Sequence, residues 1–193
     1  MSPEEVAMVP VMSLWLPIVL AAVLVFVASS IIHMMLGYHK SDYARTPNEE
    51  DLQASLRKFS IPPGDYMIPC AQSSAGMKDP KYLEMVKQGP TVVMTVFPSS
   101  AFNMGPTLVQ WFVYCVAISA FAAYVTGRAV GPGASYLEVF RFAGASAFAG
   151  YALAHGQTSI WYKRKWSTTL KNTFDGLVYA LLTAGAFGWL WPN

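Results

Sequence analysis

The most informative stretch of this chain is residues 11–36, which read VMSLWLPIVLAAVLVFVASSIIHMML. No Asp, Glu, Lys or Arg occurs from Val6 to His39. At a rise of about 1.5 Å per residue, a helix over residues 11–36 would be about 39 Å long, which exceeds a hydrocarbon core of about 30 Å. The stretch therefore predicts a membrane-spanning helix.

Three further apolar stretches, residues 106–127, 136–155 and 173–191, also predict transmembrane helices. The composition agrees, because 54% of the residues are hydrophobic and 12% are charged, against about 25% charged residues in soluble domains. We therefore predict an all-α integral membrane protein with four transmembrane helices. The remaining segments are predicted as a short external N-terminus (1–10), a cytosolic insertion (37–105), a short external loop (128–135) and a basic cytosolic loop (156–172).

The insertion is the part that we expect to fold in water. Acidic residues followed by basic ones predict a helix over residues 47–59, and Asp79 before Pro80 predicts the start of a second short helix. The β-branched run at residues 91–97 predicts a strand that pairs with residues 66–68. A re-entrant membrane segment is the alternative for that run.

Positive charge predicts how the chain crosses the membrane. Eleven of the thirteen Lys and Arg residues lie in the two segments 37–105 and 156–172, and Lys163, Arg164 and Lys165 fall together in the second. Cytoplasmic loops carry an excess of these residues. We therefore predict that both termini lie on the non-cytosolic side of a bacterial inner membrane, with the three basic residues setting the topology or contacting lipid headgroups.

Small side chains recur every four residues in the third and fourth predicted helices, and such ridges let helix backbones approach closely. We expect the ridges to pack within the chain, with a second membrane protein or a second copy of this chain as the alternative. The ridge residues are Ser146, Gly150 and Ala154 in the third helix, and Gly176, Ala180, Ala184 and Gly188 in the fourth.

Two ionisable residues of the third predicted helix have a structural explanation. Glu138 follows Ser135 at the spacing of a capping box, and Arg141 lies three residues after Glu138. Residues three apart are neighbours on a helix surface. We therefore predict a structural ion pair between Glu138 and Arg141.

Three other ionisable residues are the candidates for chemistry. His33, His155 and Asp175 fall at similar depth, at the predicted cytosolic ends of helices one, three and four. Two imidazoles and a carboxylate could hold a divalent metal, and two imidazoles could ligate a haem. The nearby donors His39, Cys70, Met34 and Met35 widen the set, but no HxxxH or CxxC spacing accompanies them.

The sequence leaves three functions open. A structural or accessory subunit, which packs against another membrane protein or against itself, is favoured because catalytic motifs are lacking. The first alternative is a metal- or haem-binding membrane redox protein or enzyme that uses His33, His155 and Asp175. The second is an oligomeric transporter or channel. It is disfavoured because the few mid-helix polar groups are small hydroxyls that can bond back to their own helix. A net charge of +2 disfavours nucleic acid as a partner, so the bilayer is the expected one.

Overall fold

A computed structural model describes residues 8–98 and 103–193, so most of the predicted external N-terminus, residues 1–7, lies outside the described part. The chain forms two compact units, Met1–Tyr43 with Gly105–Asn193 and Ala44–Met104. In chain order the elements are α1 (Trp15–Met34), α2 (Glu49–Lys58), β1 (Gly64–Ile68), α3 (Pro80–Gln88), β2 (Val92–Val96), α4 (Met104–Ala129), α5 (Tyr136–Phe148), α6 (His155–Tyr162) and α7 (Trp166–Trp189).

Helices α1 and α4 are long and apolar enough to cross a membrane. The candidate spans are Val11–Met34, with a mean hydropathy of 2.6, and Met104–Ala129, with a mean hydropathy of 1.8. Only 33% and 22% of their most apolar windows are buried in the protein. Large apolar side chains on a helix surface are costly in water and favourable in lipid. These two helices indicate an association with a membrane.

The prediction of four spanning helices is not confirmed, because the other two stretches fail the same test of length and composition within the described residues. The third is divided, since α5 ends at Phe148 and a π-helical turn, Ala149–Leu153, precedes α6. The fourth, α7, begins with the polar sequence WSTTLKNT, which lowers its mean hydropathy.

The connection between α6 and α7 is shorter than expected. The third helix was predicted to end at His155, whereas α6 continues the helical path to Tyr162. Helix α7 then starts at Trp166, so only residues 163–165 join the two helices. Most of the predicted basic loop, 156–172, is therefore helical.

The small-residue ridge of α7 packs within the chain. A Cβ atom added to Gly176 would lie 2.8 Å from Cβ of Ala152, and one added to Gly144 would lie 3.1 Å from Cβ of Ala184. Ala180 and Ala184 are buried. The α7 ridge thus contacts α5 and the π turn, as close approach through small residues requires.

The other ridge residues have different surroundings. A Cβ atom added to Gly150 would meet the Ile118 side chain of α4 at 2.6 Å, and one added to Gly188 would meet the Tyr136 ring at 2.7 Å. Ser146 is buried, whereas Ala154 is exposed. The ridge of the third helix therefore packs against α4 at Gly150, whereas its last residue, Ala154, is exposed.

Both terminal segments of the first unit lie at the end that carries the α4–α5 connection. The amide of Val9 donates to the carbonyl of Gly127 at 2.9 Å, and the amide of Gly133 donates to the carbonyl of Pro192 at 2.9 Å. The opposite end holds the last turn of α1 and the first turns of α7.

The second unit contains the predicted strand pair. Strands β1 and β2 are antiparallel, with Tyr66 opposite Met94. Asp79 caps α3 by accepting a hydrogen bond from the amide of Lys81 at 2.8 Å, as the Asp-Pro pattern predicts. The helix predicted over residues 47–59 is α2, Glu49–Lys58.

Candidate metal centre

Polar side chains from three segments of the first unit meet at the end of the helices. His33 lies in the last turn of α1, and Asp175 lies on α7. Between them in sequence, Leu36 is extended and ends the helical run, and a 3₁₀ turn, Gly37–Ser41, then presents Tyr38 and His39. The turn therefore supplies two side chains that a longer α1 would have directed elsewhere.

Asp175 is the buried member of this group, with 2% of its surface exposed. Its Oδ1 accepts a hydrogen bond from the hydroxyl of Tyr38, and its Oδ2 lies 2.8 Å from Nε2 of His39. A buried carboxylate requires such partners, because removing it from water is costly. Both oxygens of Asp175 are thus directed at the 3₁₀ turn.

His39 lies between two carboxylates. Its Nδ1 is 2.7 Å from Oδ2 of Asp42, and its Nε2 faces Asp175. Burial acts to raise the pKa of Asp42, but hydrogen bonds from Lys171 and His39 outweigh that effect and hold the pKa below its usual range. Since an ionised carboxylate can only accept, Nδ1 of His39 carries a hydrogen. That assignment fixes the ring and leaves Nε2 as the atom directed at Asp175.

Lys171 holds Asp42 in place. Its Nζ donates to Oδ1 of Asp42 at 2.8 Å and to Oγ of Ser41 at 2.8 Å. Lys171 lies one turn before Asp175 on α7, yet it pairs with Asp42. Helix α7 therefore supplies both a ligand candidate and the cation that supports the neighbouring histidine.

Tyr38 supports the other side of the site. Burial, followed by the hydrogen bond to Asp175, raises the pKa of Tyr38 above its usual range. The hydroxyl is therefore protonated at neutral pH and acts as a donor to Asp175. This donor leaves Oδ2 of Asp175 as the oxygen that faces His39.

His33 completes a group of three metal-ligating side chains. Its ring centroid is 4.5 Å from that of His39, and one ligand atom from each of His33, His39 and Asp175 lies within 4.8 Å of the others. His33 is exposed, His39 is half-buried and Asp175 is buried. The group can therefore be reached from the surface at His33.

The group suits a metal ion better than a haem. Two imidazoles that ligate haem iron bind on opposite faces of the macrocycle. The rings of His33 and His39 are 4.5 Å apart and inclined by 53°, which leaves no space for a porphyrin between them. A single small cation could bind both rings and the carboxylate after a shift of the side chains.

The structure brings two of the three predicted ligand candidates together. His33 and Asp175 meet, whereas His155 begins α6 as a half-buried residue outside the group of three. His39 takes the position that His155 was expected to fill. The π turn changes the helical phase before His155, and the sequence AGYAL gives no sign of it.

The other predicted site residues lie apart from this group. The carboxylate of Glu138 accepts from the amide and the hydroxyl of Ser135, at 3.0 and 2.8 Å, which completes the predicted capping box. The predicted ion pair with Arg141 is not among the ion pairs of residues 8–98 and 103–193. Lys163 ends α6 in a left-handed conformation, and its Nζ donates to the carbonyl of Ile160 at 3.0 Å.

Sequence reasoning missed the roles of Tyr38 and Asp42. A signal was present for Asp42, because His39 and Asp42 are three residues apart and can pair within one turn. Tyr38 gave no comparable signal, since its contact with Asp175 joins residues far apart in the chain.

Comparisons with protein families, with curated proteins and with solved structures found no match to this chain.

Proposed function

We propose that this chain is an integral membrane protein that binds one divalent transition-metal ion through His33, His39 and Asp175. The contact between Asp42 and Nδ1 of His39 carries the proposal. Histidines that bind metals commonly donate their other ring N–H to a carboxylate, which fixes the tautomer and the ring orientation. His39 has this arrangement before any metal binds.

The donor set indicates the class of metal. Two imidazole nitrogens and one carboxylate oxygen suit zinc and neighbouring first-row ions. Three protein ligands leave a position for water or a further ligand, as in catalytic rather than structural zinc sites. A metal ion bound to Nε2 of His39 and to Asp175 would take the place of the direct contact between these two side chains, and its charge would be balanced by the two carboxylates of Asp42 and Asp175.

The proposal is tested by metal titration of the chelator-treated protein in detergent. Co²⁺ is added first, because its visible absorption reports coordination, and Zn²⁺ then competes. We expect one ion per chain, with His39→Gln and Asp175→Asn weakening binding by more than the roughly 10- to 100-fold that loss of an outer partner of a ligand costs.

His155→Gln is the matched control, since it removes an imidazole at the end of another helix and should leave the affinity unchanged. Equal affinity of Asp175→Asn and the parent protein would overturn the proposal. Tight binding that is lost only in His155→Gln would do so too.

We further propose that α5 to α6 and α7 also cross the membrane, with the metal centre and residues 37–105 on the cytosolic side of a bacterial inner membrane. Support comes from the basic residues 163–165, which follow α6 directly. Exposed Cys70 is a natural reporter once the buried Cys115 is replaced by Ala. A membrane-impermeant maleimide should label Cys70 only after permeabilisation.

The reporter for the non-cytosolic side is Pro132→Cys in a chain that lacks both native cysteines. Residue 132 suits this purpose because it is exposed between α4 and α5. It should react in intact cells. Labelling of Cys70 in intact cells would refute the proposed orientation.

The accessory-subunit and transporter functions stay predictions. Docking through the small-residue ridge of α7 is disfavoured, because Gly176 and Ala184 already contact the third helix of the same chain. A transporter would need polar groups along the helices. Beyond Asp175, the buried polar residues of α7 include Thr183, a small hydroxyl that donates back to the carbonyl of Tyr179 in its own helix.

A further inference from the structure

A shallow apolar depression adjoins the candidate metal centre. It is lined by Tyr38, Leu170, Lys171 and Phe174. Leu170 and Phe174 lie one turn apart on α7, and 65% and 58% of their surfaces are exposed. The outer wall of the depression is therefore hydrocarbon.

The depression shares two residues with the metal centre. Tyr38 lines it and also donates its hydroxyl to Asp175, and Lys171 lines it and also donates to Asp42. A molecule in the depression would therefore lie directly beside the ligand group. The ammonium of Lys171 already donates to the carbonyl of Tyr38, to Ser41 and to Asp42, so its charge is paired within the site.

The two parts of this surface select one kind of ligand. The metal ion would offer an open position to an anionic oxygen. The apolar wall gives nothing to a small hydrophilic anion, whereas it would bury part of an alkyl chain. A helix end at the membrane interface would expose such a wall to lipid.

We propose that the metal centre binds an amphiphile whose anionic headgroup, a carboxylate or a phosphate, occupies the open metal position while its alkyl chain lies against Leu170 and Phe174. This inference rests on the proposed metal binding. The shared chemistry is an anionic oxygen attached to a hydrocarbon chain, as in a fatty acid or a phospholipid.

The test uses the full-length Co²⁺-loaded protein in detergent and follows the change in visible absorption as probes are added. Acetate is compared with decanoate, and methyl phosphate with decyl phosphate, which separates the two headgroups. We expect the decyl probe of one pair to bind at least about 30-fold more tightly than its short partner, the effect of two or three fully buried methylene groups.

Matched variants separate binding in the depression from partitioning into detergent. Leu170→Ala with Phe174→Ala should reduce the preference to below about threefold, because most of the chain contact is lost. Val109→Ala with Val113→Ala, an exposed apolar pair one turn apart on α4, should retain the full preference.

Two results would overturn the inference while metal binding stands. The first is that Co²⁺ binds, but the Co²⁺-loaded protein has the same affinity for the short and the long probes. The second is a chain preference that survives Leu170→Ala with Phe174→Ala. Failure of Co²⁺ to bind at all would instead refute the proposed function on which the inference rests.

Discussion

Asp42 determines which atom of His39 is available to a metal ion. It accepts from Nδ1 at 2.7 Å while its other oxygen accepts from Lys171. Asp42→Asn would keep the size of the side chain but remove its charge, so the ring of His39 would lose its fixed tautomer. We expect a 10- to 100-fold loss of Co²⁺ affinity, of the order seen for such outer partners, measured by absorption titration.

Asp65→Asn is the control for this substitution, because Asp65 also accepts a side-chain hydrogen bond, from Thr95, but in the second unit. It should bind Co²⁺ as the parent does. If Asp42→Asn matches the parent instead, Asp42 does not support the metal ligand.

Single residues also show which parts of the candidate site could be predicted from the sequence. His33 and Asp175 were recognised because ionisable residues at the ends of apolar helices are rare and stand out. The choice between His39 and His155 could not be made, since it depends on the rotation of α6 and on the path of five residues after α1. Local patterns do not encode either quantity.

The closest approach of α7 to the third helix depends on Gly176. A methyl group at this position would lie 2.8 Å from Cβ of Ala152 and 3.2 Å from backbone atoms, so the helices would have to separate. We expect Gly176→Ala to lower the free energy of unfolding by about 1–3 kcal/mol, measured by reversible denaturation in detergent.

Gly156→Ala provides the comparison within a helix. No atom lies within 4 Å of a Cβ added to Gly156, and alanine favours the helical state by roughly 0.5–1 kcal/mol. This variant should be as stable as the parent or more so. Equal destabilisation by the two substitutions would mean that the α7 contact is not the cause.

Element boundaries were predicted where a residue fixes them chemically. Asp79 with Pro80 started α3, Ser135 with Glu138 started α5, and the β-branched run became β2. The π turn was missed because its sequence is ordinary for an α-helix. The same interruption leaves the third predicted span without a single long helix.

At the scale of the whole molecule, metal binding should stabilise the fold because its ligands come from α1, the 3₁₀ turn and α7. An ion present at 100 times its dissociation constant adds about 2.7 kcal/mol, or roughly 5–10 °C in Tm for a chain of this size. We expect Zn²⁺ to raise Tm by this amount in the parent and in His155→Gln, measured by thermal unfolding in detergent.

Asp175→Asn should show no such rise, since it lacks the buried ligand. A similar rise in Asp175→Asn would place the stabilising ion elsewhere on the protein. The comparison needs no catalytic assay, so it applies before any reaction is known.

The π turn has a consequence for changes in chain length. Deleting one residue from Ala149–Leu153 would restore regular α-helical spacing and turn α6 by about 100° relative to α5. The hydroxyl of Ser159, which lies 2.6 Å from that of Thr169 on α7, would then leave its partner. Such a deletion would leave two buried hydroxyls, those of Ser159 and Thr169, without each other, at a cost of about 1–3 kcal/mol for each group left unsatisfied.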